Sequence, residues 1–89
     1  MKISFDERAD ALYIKLNDLK IVDSEEIWDS INCDYDTNNV LVGIEIISLK
    51  QQMRDLYEKM HHLLSAEDLD ELSQFFKLRG STLWLEKTS

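Results

Sequence analysis

The stretch Val40-Leu41-Val42-Gly43-Ile44-Glu45-Ile46-Ile47 decides the fold. It is apolar at both parities, interrupted only by Gly43 and Glu45. A run of this kind predicts a central β-strand covered on both faces. One cover is expected to be helix and the other a partner. Immediately upstream, Asp36-Thr37-Asn38-Asn39 predicts a hairpin turn, because asparagine tolerates the left-handed backbone that such turns need. Before it, Ile31, Cys33 and Tyr35 alternate with Asn32, Asp34 and Asp36, the period of a strand with one apolar and one polar face.

The same period continues toward the N-terminus. Ile21 and Val22 open a weaker strand that runs through Glu25, Glu26 and Ile27 to Trp28, and its acids predict an edge position, where charge discourages stray pairing. Leu12, Ile14 and Leu16 alternate with Ala11, Tyr13 and Lys15, and Ile3 and Phe5 with Lys2 and Ser4. The polar run Asp6-Glu7-Arg8-Ala9-Asp10 is short enough to join antiparallel neighbours. The reading is a five-stranded antiparallel β-meander over about residues 2–47.

Downstream the period changes. Leu49, Met53, Leu56, Met60 and Leu63 step by fours and threes, with Tyr57 and Leu64 widening the stripe, which predicts an amphipathic helix over about 49–64. Ser65 reads as the N-cap of a second helix over about 66–78, with Glu67 and Asp68 in the first turn where the helix dipole favours negative charge. Leu69, Leu72, Phe75 and Phe76 form its buried side, and Gly80 its terminator. Thr82-Leu83-Trp84-Leu85 is a short β-prone tail. The class is α+β, one domain over 1–89, with a β core at 1–48 and a helical extension at 49–89.

Composition excludes several functions. Eighteen acids against ten bases give a net charge of −8, which repels phosphate backbones, and no Lys/Arg cluster offers a nucleic-acid footprint. The same field attracts a basic partner. Cys33 is the single cysteine, so the chain can form no internal disulfide and no thiolate zinc site of its own. No apolar run reaches the roughly 18 residues needed to span a bilayer, and the first residues lack a signal-peptide core, so a cytoplasmic location is expected. A domain this small buries only about 60% of its unfolded surface, which favours a partner or a homo-oligomer.

Three segments carry a resemblance that periodicity does not show. Asp6-Glu7-Arg8-Ala9-Asp10-Ala11-Leu12-Tyr13-Ile14, Asp34-Tyr35-Asp36 and Val42-Gly43-Ile44-Glu45-Ile46 look like the core of a family of small bacterial domains of unknown function, common in cyanobacteria and other bacteria. The likeness spans roughly residues 1–50 and implies a β-meander with a short helical end. Some members sit beside small toxin genes, so the resemblance implies an antitoxin role in a toxin-antitoxin system. This chain departs from the pattern in two places. Thr37-Asn38-Asn39 stands where a glycine is usual, and the helical tail is longer.

Candidate chemistry is sparse. Cys33 lies on the apolar side of its strand, as a small buried hydrophobe would. His61 and His62 are sequence neighbours, which a helix points about 100° apart, so they cannot share a metal as an i, i+4 pair does. Asp6, Asp10, Asp34, Asp36 and Glu45 form the set of structural or functional acids. Oxygen ligands from two turns could hold Mg²⁺ or Ca²⁺, but their spacing matches no cation loop, and Asp6 and Asp36 read as turn caps. Glu45, inside the most apolar strand, calls for an ion pair with Arg8 or Lys15, for solvent, or for neutralisation.

No catalytic residue, metal site or cofactor is assigned. The expected function is a protein-interaction module, most concretely an antitoxin-like protein that neutralises a basic toxin ribonuclease. Trp84, Phe75 and Phe76 would be its anchors, with Glu67, Asp68, Asp70 and Glu71 providing the charge. The alternatives are a metal-dependent enzyme using the acidic cluster and a structural subunit of a homo-oligomer, for which the 49–63 stripe could serve as a dimer seam.

Overall fold

The computed structural model describes residues 1–80, so the tail around Trp84 lies outside the described residues. The elements are β1 (Lys2–Asp6), β2 (Ala11–Lys15), β3 (Asp23–Trp28), β4 (Ile31–Tyr35), β5 (Leu41–Ile47), α1 (Leu49–Leu63) and α2 (Ala66–Leu78). They form two compact units divided at Leu49/Lys50, where the sequence period changes from two to 3.6. The expected class holds: a five-stranded antiparallel sheet followed by two helices.

The sheet order is β1-β2-β5-β4-β3. A strict meander would place β3 beside β2. Instead β5 enters between β2 and β4, pairing Ile14 with Ile44 on one side and Cys33 with Ile44 on the other. The loop of residues 16–22 makes this possible by crossing the end of the sheet. Leu16 N donates to Val42 O at 2.8 Å, Asn17 Nδ2 to Leu41 O at 3.0 Å and Val22 N to Tyr35 O at 2.9 Å, so each end of the loop extends a strand ladder. Periodicity reports which way side chains point and is silent on which strands touch, which is why the order was not legible.

The turns follow from local chemistry. Asp6 Oδ1 accepts from Arg8 N and Ala9 N, both at 3.1 Å. Asp36, itself buried, does the same for Asn38 N at 2.9 Å and Val40 N at 2.8 Å. Asn39 adopts φ 62°, filling the left-handed position for which glycine is the usual choice. The unusual Thr37-Asn38-Asn39 is thereby explained. Ser30, at φ 63°, performs that service in the tight β3–β4 turn.

The three central strands bury one face of the sheet: Leu12, Ile14, Ile31, Cys33, Ile44 and Ile46 have no solvent exposure, and Val42 is 1% exposed. Burying side chains of this size contributes about 1.5–3 kcal/mol each. The edge strands are less protected, and β3 is exposed from Asp23 to Glu26, as its acids predict.

In the second unit, α1 buries Met53, Leu56 and Met60, the expected stripe, and ends at Leu63. Ser65 Oγ accepts from Asp68 N at 3.1 Å, which makes it the N-cap of α2. Beyond α2, Gly80 takes φ 72° and donates its N–H to Lys77 O. Leu69, Leu72 and Phe76 are buried. Among the described residues no helix is long and apolar enough to cross a membrane.

Candidate functional site

In the chain by itself the two faces of β5 differ. Val42, Ile44 and Ile46 are buried as expected, whereas on the opposite side Gly43 is buried and Leu41 half-buried, but Glu45 is exposed and Ile47 is 39% exposed. Val40 precedes the strand and is also exposed. The stretch is central in the sheet and covered on one side, because a strand's position in the hydrogen-bonding order does not determine whether both its faces are packed.

That open face gathers residues from all three motif segments. Cross-strand register aligns Ser4, Tyr13, Glu45, Asn32 and Glu26 in one row, and Lys2, Lys15, Gly43, Asp34 and Ser24 in the next. Tyr13 leans diagonally between the rows. Its hydroxyl donates to Asp34 Oδ2 at 2.7 Å, while Ser24 Oγ donates to Asp34 Oδ1 at 2.6 Å. Asn32 Nδ2 donates to Glu45 Oε1 at 3.2 Å.

Gly43 makes the Tyr13 pose possible. A Cβ added there would overlap the tyrosine hydroxyl and ring, so the absence of a side chain on β5 is what lets the ring lie across the sheet. The phenol is correspondingly hard to ionise. Burial, the hydrogen bond to Asp34 and the charges of Asp34 and Glu45 together push its pKa up to about 12. At neutral pH Tyr13 is therefore a fixed donor, and Asp34 is an acceptor held by two hydroxyls.

The other acids are dispersed. Asp6 and Asp36 cap separate turns, and Asp10 occupies the β1–β2 turn at φ 53°, with its carbonyl accepting from Leu49 N at 2.9 Å. Among the described residues no three His, Cys, Asp or Glu side chains come together in a group that could hold a metal ion. Glu45 meets neither Arg8 nor Lys15; its partner is Asn32, and Lys15 instead pairs with Asp18 at 3.0 Å. An exposed strand face lets solvent and an amide do what a buried site would have required of an ion pair.

Cys33 is buried, and burial pushes its thiol pKa up. His61 and His62 are exposed in the last turn of α1, with His61 stacked on Tyr57 at 6.1 Å. On α2, Glu67, Asp70 and Glu71 are exposed and Asp68 is half-buried. Phe76 is 2% exposed and so is part of the core, whereas Phe75 is half-buried and lies under Arg79 at 5.4 Å.

Sequence reasoning did not pick out Tyr13, Ser24, Asn32 or Gly43. The signal for Tyr13 and Gly43 was nonetheless present. A glycine inside a strand marks a place where another group approaches closely, and an aromatic at an outward position of a nearby strand is a natural visitor. Beside Tyr13 the face dips into a shallow cleft of about 310 Å³ whose lining includes Ser4, Asp6, Ala11, Tyr13 and Glu45.

A family model described as "Protein of unknown function (DUF2283)" matches residues 2–50, the segment that builds the sheet and its open face. No curated protein and no solved structure matches the chain.

Proposed function

The chain belongs to the family of unknown function DUF2283, and from that premise we infer that it is a protein-interaction module whose partner is basic. The observation that supports this reading is the one-sided sheet. The central strand is packed on one face and presents on the other a pre-ordered set of hydrogen-bonded groups, including the carboxylates of Asp34 and Glu45. Groups already held in place lose little freedom on association, so more of the contact energy appears as affinity.

Charge supports the sign of the partner. The net charge is −8, and exposed acids also occupy edge strand β3 and the outer side of α2. Such a field accelerates encounter with a cationic surface and loses strength as salt rises. The most concrete form of the reading is antitoxin-like, with the acidic surface masking the phosphate-binding site of a basic ribonuclease.

Co-expression with the product of an adjacent small gene tests it. A co-purifying complex that dissociates at high salt and suppresses the neighbour's toxicity is expected. A chain that purifies alone, and whose deletion leaves cells expressing that neighbour unaffected, overturns it.

A second reading, self-association, is favoured by one specific observation. Exposed Leu19, Ile21, Val22 and Val40 all belong to the crossover loop and the β4–β5 turn, at the same end of the sheet. Light scattering across micromolar concentrations distinguishes a dimer from a monomer, and Leu19→Ser with Ile21→Ser should return a dimer to monomer.

A further inference from the structure

We propose that the cleft beside Tyr13 on the open sheet face receives an arginine side chain from an extended basic segment of the partner, its guanidinium resting on the Tyr13 ring and bonding the Glu45 carboxylate. This inference rests on the interaction-module reading and assigns that module its contact point.

The cleft has the parts that such a side chain requires. Tyr13 supplies an aromatic surface held in one pose by Asp34 and by the space above Gly43. Glu45 is its direct cross-strand neighbour and is exposed. Asn32 binds Oε1 of Glu45, which orients the carboxylate while Oε2 remains available for a further donor. Asp6 lines the opposite end of the cleft and adds a second negative charge.

Arginine suits this arrangement better than lysine. Its planar guanidinium can stack on an aromatic ring while an N–H at its edge donates to the remaining carboxylate oxygen, whereas an ammonium offers a compact, strongly hydrated charge. The tyrosine remains neutral through the physiological range, so its ring presents no competing negative oxygen that would draw the cation off the ring toward the hydroxyl.

The shape of the site specifies the segment. The cleft lies on a sheet surface between β1, β2 and β5, where an extended peptide presents alternate side chains to the face. Lys2 and Lys15 stand in the neighbouring row, so a second cation placed on that side is repelled. A segment with one arginine toward Glu45 and an acidic or neutral residue toward Lys15 fits best.

The test is an amide chemical-shift titration of the full chain with three acetylated, amidated octapeptides of serine and threonine that carry a single central arginine, lysine or glutamate. The expected result is that the arginine peptide shifts Tyr13, Gly43, Glu45 and Ser4 and binds about threefold or more tighter than the lysine peptide. Raising salt from about 0.025 M to about 0.25 M should weaken it. Glu45→Gln should reduce its affinity about tenfold while leaving the melting temperature nearly unchanged.

Tyr13→Phe should weaken binding, because the ring loses the Asp34 bond that holds its pose, and Tyr13→Ala should abolish it. Shifts confined to Glu67, Asp70 and Glu71 on α2 would overturn the assignment while leaving a basic partner standing. Equal affinity for lysine and arginine would overturn the stacking geometry. Equal binding of the glutamate peptide would bring down the basic-partner reading itself.

Discussion

The two faces of β5 are built from the same seven residues yet held by different forces. On one, Val42, Ile44 and Ile46 are buried and stabilise by removal of apolar surface from water. On the other, Gly43 lies buried beneath Tyr13 while Glu45 and Ile47 are exposed, and order comes from the Tyr13–Asp34 bond that crosses the strand, with the Ser24–Asp34 and Asn32–Glu45 bonds beside it. The contrast separates stability from specific shape. Removing bulk from the first face should threaten the fold, and disturbing the second should mainly change what the surface presents.

The largest test truncates the buried face. Ile44→Ala leaves a cavity between two paired strands and should cost about 2–5 kcal/mol in denaturant melts. A loss below about 1 kcal/mol would mean that this face is not the stabilising one.

Next comes Gly43→Ala, which places a methyl group where Tyr13 lies. It should cost about 1–2 kcal/mol by displacing the tyrosine from Asp34. In a Tyr13→Ala background the sign should reverse, with alanine better than glycine by about 0.5–1 kcal/mol, because a strand glycine carries an entropic cost. Penalties that simply add in the double variant would refute the contact.

Tyr13→Phe sharpens the comparison through pH. The phenol's pKa is pushed up from 10.0 to about 12 on folding. Its contribution is therefore fully present below pH 10 and is lost as pH climbs from 10 to 12. Wild-type stability should fall over that window more steeply than that of the phenylalanine variant. The remaining slope includes Tyr35, whose pKa burial also raises. Identical slopes would show that the Tyr13–Asp34 bond contributes nothing.

The smallest effect is expected at Glu45→Gln, within about 0.5 kcal/mol, as for an exposed site away from the packed face. A larger loss would make Glu45 a structural residue rather than a surface one.

The sequence declared most of the buried face. Alternation over Leu12-Ile14 and Ile31-Cys33 identified side chains that are in fact buried, and the change of period at Leu49 marked the boundary between the two units. Ser65 and Gly80 were recognisable as helix ends because their roles depend on neighbours a few residues away. The open face was harder. Tyr13 and Asp34 are 21 residues apart, and their meeting depends on β5 entering between their strands. No local pattern encodes that arrangement. Apolar Leu41 and Ile47 also made β5 read as covered on both sides, although the face they share with Glu45 is open. A hydrophobic residue outside is unremarkable energetically, so apolar content alone could not report the missing cover.

The strand made last among the five lies at the middle of the sheet. During synthesis β1–β2 and β3–β4 can form only as separate hairpins, and an isolated two-stranded ribbon is marginal in water. The sheet therefore closes only after Ile47 has left the ribosome, when one segment joins both halves through contacts distant along the chain. A chain arrested before Leu41 would display two unjoined ribbons with bare edges, a form suited to aggregation or to rapid proteolysis.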